Sequence, residues 1–317
     1  MALTVALAGD TMLGRGVAQH LAERRGAVVA PEVAEVAAEA DLFVLNLECC
    51  ISDRGRRWPD PAKPFFFRAP PSAAEVLAQL GVDCVTLANN HALDYGVEAL
   101  LDTFDHLAAV GVAWVGAGPD VDAARRPAVL RHDNQRLTVI GVSDHPSAFA
   151  AGPDRPGIAF ADLAGSGNPE WLMAAVAGAE SLVLVSPHWG PNMTAEPIPA
   201  VRAAADRLTE AGVALVAGHS AHVFHGVRAP VLYDLGDFVD DYAVDRHLRN
   251  DLGLLFLATL DGGRLRAVEA VPLKLEYCHT RLAVGDDAAW IGRRFGEACA
   301  RLGSRAVAVD GRLRVDG

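Results

Sequence analysis

The stretch VRAAADRLTEAGVALVAGHSAH, residues 201–222, sets the pattern for the chain. Residues 201–211 place Val201, Ala205 and Leu208 on one face of a helix. Gly212 follows where the left-handed residue after a helix belongs. Residues 213–217 (VALVA) are a continuous apolar run, as in a strand covered on both faces. The run ends in Gly218-His219-Ser220-Ala221-His222, which puts two imidazoles just past a strand. The same helix, glycine, strand step recurs at Leu80-Gly81-Val82 and Val110-Gly111-Val112.

Working outward, short apolar runs at residues 3–8, 42–47, 84–88, 112–115, 137–142, 182–185 and 231–233 read as further strands. Helices are expected over 73–80, with Ser72 as N-cap and Glu75 completing a capping box, and over 97–109, with Leu100, Phe104 and Leu107 on one face. Alternating strands and helices define an α/β chain with a parallel or mixed sheet. Residues 51–71 and 152–169 are rich in proline or glycine and are expected to be loops. From residue 254 the pattern changes to two strand-like runs (254–260 and 265–273), a helix over 289–302 and a polar end.

Composition narrows the function. The chain has 317 residues, 51% hydrophobic and 21% charged, with a mean hydropathy of +0.19, which suits a folded core rather than a disordered chain. A net charge of −12 argues against binding a nucleic-acid backbone. No segment approaches the roughly 20 apolar residues that span a bilayer, so membrane insertion is not expected. Neither a basic n-region nor a cleavage signal opens the chain, and a cytoplasmic location is expected. Five cysteines without a CxxC pair suggest reduced, packed thiols rather than a disulfide framework or a four-cysteine zinc site.

The chemistry gathers just past the strands. Asp10, Glu48, Asn90, His188, His219 and His222 each follow an apolar run, and Asn46 and Asp237 lie at strand ends. In a doubly wound sheet, ligands bind outside the carboxyl ends of the strands. If the strands share a direction, these oxygen and nitrogen donors converge there. The set suits Mn, Fe or Zn better than Ca or Mg. Two such ions about 3.5–4 Å apart would clamp a phosphoester oxygen and acidify a water. Taken singly, Asp10 is also a plausible helix cap, Glu48 a solvated strand-end charge and His188 a structural histidine. Asp144-His145 also follows a strand and is left outside the site.

Together, Gly9-Asp10-Thr11-Met12-Leu13-Gly14-Arg15-Gly16, Asn46-Leu47-Glu48, Ala88-Asn89-Asn90-His91-Ala92-Leu93-Asp94-Tyr95-Gly96, His188-Trp189-Gly190, Gly218-His219-Ser220-Ala221-His222 and Leu235-Gly236-Asp237-Phe238 resemble the CapA family. These are bacterial capsule, or poly-γ-glutamate synthesis, proteins with the calcineurin-like metallophosphoesterase fold. The resemblance runs in order over roughly residues 3–275. It implies a β-sandwich flanked by helices, with a site for two divalent metal ions at the carboxyl edge of the strands. Residues 1–275 would form this domain, and 276–317 a helical and polar extension packed on it.

By the same resemblance, Asp10, Glu48, Asn90, His188, His219 and His222 would be metal ligands, with Glu48 in the bridging place, and His91 would be the general acid. Arg15, in the first strand-to-helix turn, is itself a candidate catalytic anion contact. Three departures stand out. Met12 replaces the histidine of Asp-x-His, His219 and His222 are one residue further apart than in His-x-His, and Asp237 stands where the family has asparagine. Many relatives carry a membrane anchor or export signal, and none is expected here. Residues 51–71 carry Arg54, Arg56, Arg57, Lys63 and Arg68 and are expected to form a lid over an anionic substrate, or else a solvated loop whose arginines pair with surface acids. Asn46, Arg54, Arg57, Arg68 and Asp237 are expected to face that substrate.

The functional expectation is a metal-dependent hydrolase in which an activated water attacks a phosphoester of a small anionic substrate. Two alternatives stay open: γ-glutamyl amide hydrolysis or transfer, and a non-enzymatic accessory subunit of a poly-γ-glutamate synthetase. In either biosynthetic setting the partner would be an ATP-dependent ligase.

Overall fold

The computed structural model describes residues 2–23, 27–165, 167 and 169–317. The first strand, Leu3–Thr11, lies inside a ten-stranded mixed sheet. Leu42–Leu47, Cys84–Thr86 and Ala113–Val115 extend the sheet in parallel on one side. On the other side Leu252–Asp261 and Arg264–Glu276 run antiparallel. A second, six-stranded sheet is built around the parallel strands Gln135–Ser143, Leu182–His188, Leu215–Ala217 and Val231–Leu232.

Side-chain alternation joins the two sheets. Leu3, Val5 and Leu7 share one apolar cluster with Leu137, Val139, Leu184 and Leu215. Ala6 and Ala8, on the opposite face, pack under Val17, Val33, Leu77 and Leu100 of the outer helices. On the second sheet Ile140, Val142, Val183 and Val185 meet Leu172, Ala205 and Leu208. The result is four layers, helix on sheet on sheet on helix, the arrangement of the calcineurin-like sandwich. Burial on both faces explains why these strands read as unbroken apolar runs.

Several expectations are refined. Gly81 and Gly212 follow their helices with φ of +77° and +89°, as the helix, glycine, strand pattern requires. The capping box at Ser72 does not form. The helix is Ser72–Gln79, and its cap is Pro71, already at φ −51° and ψ −35° with no side-chain cap bond. Proline fixes φ near the helical value, so the turn begins before the serine hydroxyl can cap it.

Residues 152–169 are not wholly surface loop: Gly157–Ile158 pairs with Ala117–Gly118, and Ile158 and Leu163 are buried. Ser166 and Asn168 of that stretch lie outside the described residues. The polar end forms a hairpin, Val307–Val309 with Arg312–Asp316, and Arg312–Asp316 pairs with Arg264–Glu276. The helix Gly285–Arg301 buries Ile291, Phe295 and Cys299 among residues of both sheets. All five cysteines are buried and free. No helix among the described residues is long and apolar enough to cross a membrane.

Candidate metal centre

The carboxyl ends of the parallel strands deliver the polar residues to one place. Asp10 lies in register with Asn46 on Leu42–Leu47 and with Asp237 on the parallel strand Asp237–Val239. His188 ends its strand and bridges to His219 on the neighbouring segment. That approach depends on Gly218: a Cβ there would sit 2.2 Å from the Tyr233 carbonyl oxygen and 2.4 Å from the Trp189 ring nitrogen. Gly9 meets a similar limit, with 1.8 Å to the Gly236 carbonyl oxygen. Only a residue without a side chain lets these segments close on one another.

Two groups of side chains form, each able to hold a metal ion. Asp10, His188 and His219 make one, and Asp10, Glu48, His222 and Asp237 the other; within each group the donor atoms lie within 4.8 Å of one another. His188 Nδ1 is 2.7 Å from His219 Nδ1. His222 Nδ1 is 2.8 Å from Asp237 Oδ1, 3.2 Å from Asp10 Oδ2 and 3.9 Å from Glu48 Oε2.

All six are buried, yet Asp10 Oδ2, Glu48 Oε1, Asp237 Oδ2, His188 Nε2 and the nearby Asn90 Oδ1 have no hydrogen-bond partner. Buried acceptors are ordinarily paired. Three carboxylates around one imidazole, with acceptor atoms left over, fit divalent cations with oxygen and nitrogen ligands.

The electrostatics agree. Burial, with Asp10's charge adding to it, pushes Glu48 well above the usual carboxylate range. Burial likewise raises Asp237. Burial opposes ionisation of Asp10 too, but His222 and His219 outweigh it and hold Asp10 low. His222 is driven up, against burial, by Asp237 and Glu48. Burial pushes His219 down to about 4 and His188 well below its ordinary value, which favours the neutral imidazoles that coordinate a metal.

A cavity of about 260 Å3 opens above His91 and His222, walled by Arg15, Phe65, Phe67, Met193 and Tyr242 among others. His91 Nδ1 is 2.6 Å from Asp94 Oδ2, and its Nε2 lies 4.0 Å from Glu48 Oε1. Asp94 also accepts from the Phe67 backbone N–H at 2.6 Å, and Lys63 Nζ lies 2.9 Å from its other oxygen. Arg15 Nε pairs with Asp241 at 3.3 Å. Arg15, Met193 and His222 have φ of +51°, +54° and +59°. Non-glycine residues held there cost of order 1–3 kcal/mol each, a strain that clusters at functional sites.

The sequence-predicted residues divide into three groups. Asp10, Glu48, His188, His219 and His222 converge, with His91 and Arg15 lining the cavity; Asn90 precedes His91 and keeps a buried, unpaired Oδ1. Asp237 joins them as a member of the second cluster rather than as a group facing the cavity. The residue common to both clusters is Asp10, not Glu48. The first sheet explains this: Asp10 sits on its own strand between those carrying Asn46 and Asp237.

Asn46 lies behind the centre. Its amide donates to Asp10 Oδ1 at 2.7 Å, and its oxygen accepts from Asn89 at 2.9 Å. The loop arginines point elsewhere. Arg54 pairs with Asp102 and Glu98, Arg57 lies over the Phe66 ring, and Arg68 lies 4.2 Å over Tyr95. For these three, pairing with local acids and rings prevails over facing an anion in the cavity.

Sequence reasoning missed Asn89 and Asp94, although both stand in the Ala88–Gly96 block, and Tyr242, whose hydroxyl reaches Glu48 at 3.4 Å. It also left out His145, whose ring lies 5.1 Å from that of His188. The placement of Asp144-His145 after a strand was the available signal. Lys63 belongs to the expected lid, but it is bound to Asp94 and to the Asn90 carbonyl oxygen at 2.7 Å.

A helix-flanked sandwich with metal-competent clusters at its strand ends defines a metallophosphoesterase-like protein. The chain belongs to the family described as bacterial capsule synthesis protein PGA_cap, whose model matches residues 4–242. It is 33% identical to a probable polyglutamine synthesis accessory protein of Mycobacterium tuberculosis, over 96% of this chain and 93% of that protein. It is 27% identical to the capsule biosynthesis protein CapA of Bacillus anthracis, over 86% of this chain and 68% of that one. A hypothetical protein from Thermus thermophilus shares the fold, with a TM-score of 0.52 and 16% identity, over 86% of this chain and 99% of that one.

Proposed function

We propose that this protein is a metal-dependent phosphoester hydrolase acting on a small anionic substrate in poly-glutamate or capsule metabolism. The observation that carries the reading is the pair of buried clusters sharing Asp10, whose unpaired acceptors lie under a cavity lined by His91 and Arg15. Two divalent ions, Mn, Fe or Zn, would be held by Asp10, His188 and His219 and by Asp10, Glu48, His222 and Asp237, with Asn90 as a further oxygen donor. Bound there, such ions supply Lewis acidity and an acidified water.

The chain's own residues do the rest. Arg15 receives a phosphoryl oxygen, and its pairing with Asp241 and its seat on three aromatic rings fix its direction. His91 gives its Nε2 proton to the leaving oxygen, and Asp94 at Nδ1 fixes the ring's orientation and supports its charged form. Burial lowers His91 despite Asp94, and an arriving phosphate dianion opposes that effect. Lys63 and the Phe67 N–H keep Asp94 in place.

The relatives' names support a second reading, a non-enzymatic accessory role in polymer synthesis, which expects turnover of neither phosphoesters nor γ-glutamyl amides. Turnover of phenyl phosphate and of γ-glutamyl amides by protein equilibrated with Mn2+, Fe2+ or Zn2+ separates the two. The hydrolase reading expects His91→Ala to lower phosphoester turnover by about 10²–10⁴-fold with metal content unchanged. No phosphoester turnover with any of the three ions would hand the lead to the accessory reading.

A further inference from the structure

Above the metal centre stands a ladder of rings. Phe67 stacks on His91 with centroids 4.0 Å apart and planes at 25°. Phe65 stacks on Phe67 at 6.4 Å and 17°, and Tyr242 lies 5.7 Å from Phe67 at 29°. The outermost ring, Phe65, is 56% exposed, and Met193 in the same cavity wall is 39% exposed. The Arg15 guanidinium lies 5.6 to 5.9 Å from the centroids of Phe65, Phe67 and Tyr242, so the positive charge stands beside the ladder.

We infer that this cavity takes an anion whose leaving group carries a flat aromatic ring, an aryl or nucleoside phosphate, with the ring held on Phe65, the exposed end of the ladder beside the buried Phe67, and covered by Met193. The inference rests on the hydrolytic reading above in one respect: a group protonated by His91 must depart beside His91, and the ring stacked on His91 is the base of the ladder. Near-parallel rings accept a further flat ring in offset stacking. Methionine adapts its thioether to an aromatic edge. A flexible γ-glutamyl chain would instead bring several carboxylates to walls in which one arginine stands.

Binding of non-hydrolysable phosphonates to the Mn2+-equilibrated protein, measured by calorimetry, tests this without relying on turnover. Phenylphosphonate is expected to bind about tenfold more tightly than methylphosphonate. The ratio should fall to near one in Phe65→Ala, narrow in Met193→Ala, and be restored in Phe65→Trp. Adenosine 5′-phosphate distinguishes the sources: tighter binding than phenylphosphonate assigns the ladder to a nucleoside, weaker binding to a small arene.

Equal affinity of the wild type for the two phosphonates, a ratio unchanged in Phe65→Ala, or no binding of either overturns the inference. A ring preference without turnover of phenyl phosphate would sink the hydrolase reading and leave the ring site standing. Turnover without a ring preference would do the reverse.

Discussion

Two groups of charged side chains in this molecule obey opposite rules. Arg249, Asp251, Lys274 and Asp287 join two cations to two carboxylates. Arg249 reaches Asp251 at 2.7 Å and Asp287 at 2.9 Å, and Lys274 bonds to Asp251. At the strand ends, Asp10, Glu48 and Asp237 crowd one imidazole, His222, and each carboxylate keeps an oxygen without a partner. The first group is complete as it stands. The second is more deeply buried, carries excess negative charge and would be costly to hold without positive charge brought to it. Charge balance therefore separates a structural network from a binding centre better than the number of charged residues does.

The largest test of that contrast is the residue shared by both clusters. Asp10→Ala should strip both metal ions, a greater loss than the roughly 10–100-fold in affinity that removing an outer partner costs. His188→Ala should leave the Glu48, His222 and Asp237 cluster loaded. Plasma mass spectrometry on dialysed protein reads both variants. Full metal retention by Asp10→Ala would mean that the ions, if present, are not held here.

Opposite signs of stability sharpen the comparison further. In metal-free protein, Asp237→Asn removes a buried like-charge repulsion and should raise Tm by a few degrees, at roughly 2–4 °C per kcal/mol. Asp251→Asn removes one partner of a satisfied network and should cost roughly 1–3 kcal/mol, lowering Tm. Scanning calorimetry after chelation decides it, and a drop in both variants would remove the distinction between the two groups.

Much of this architecture was legible because its signals are local. Double-sided burial made the parallel strands continuous apolar runs, and a glycine after each of several helices marked the return to the sheet. The polar residues just past those runs then pointed to one edge. What stayed hidden depends on partners distant in sequence. The strand Ala128–His132 has mostly exposed side chains, and its apolar run is only Ala128–Leu130 before Arg131 interrupts it. That Asp10 and not Glu48 is shared follows from strand order, which the runs do not specify. Arg54 read as a substrate contact because a basic loop in an acidic chain suggests an anion, yet its partner Asp102 lies 48 residues away on the helix Gly96–Ala109. Phe65 and Phe67 lie in the proline-rich stretch 51–71 with no periodic signal, and only the fold stacks Phe67 on His91 and Phe65 on Phe67.

The smallest effect is a pH dependence, and it completes the contrast. Burial pushes the Asp251 carboxyl up, but hydrogen bonds from Arg249 and Lys274 outweigh it and set its pKa below the ordinary 3.8. A lowered carboxylate contributes stability that is fully present above its unfolded value and lost as pH falls through its folded one. The Tm deficit of Asp251→Asn should therefore hold steady above about pH 5 and shrink as pH drops below about 3.8. Glu48 is displaced the other way, well above its ordinary 4.5, by burial and by Asp10. Its charge penalises the metal-free fold increasingly as pH rises past that value, so Glu48→Gln should show a Tm gain that grows with pH and vanishes in acid. The two gaps have opposite signs and close together on acidification. Calorimetric scans between about pH 3 and 7 on chelated protein follow both. A Glu48→Gln gain that persists unchanged into acid would show that the gain comes from packing and not from the unbalanced charge at the strand ends.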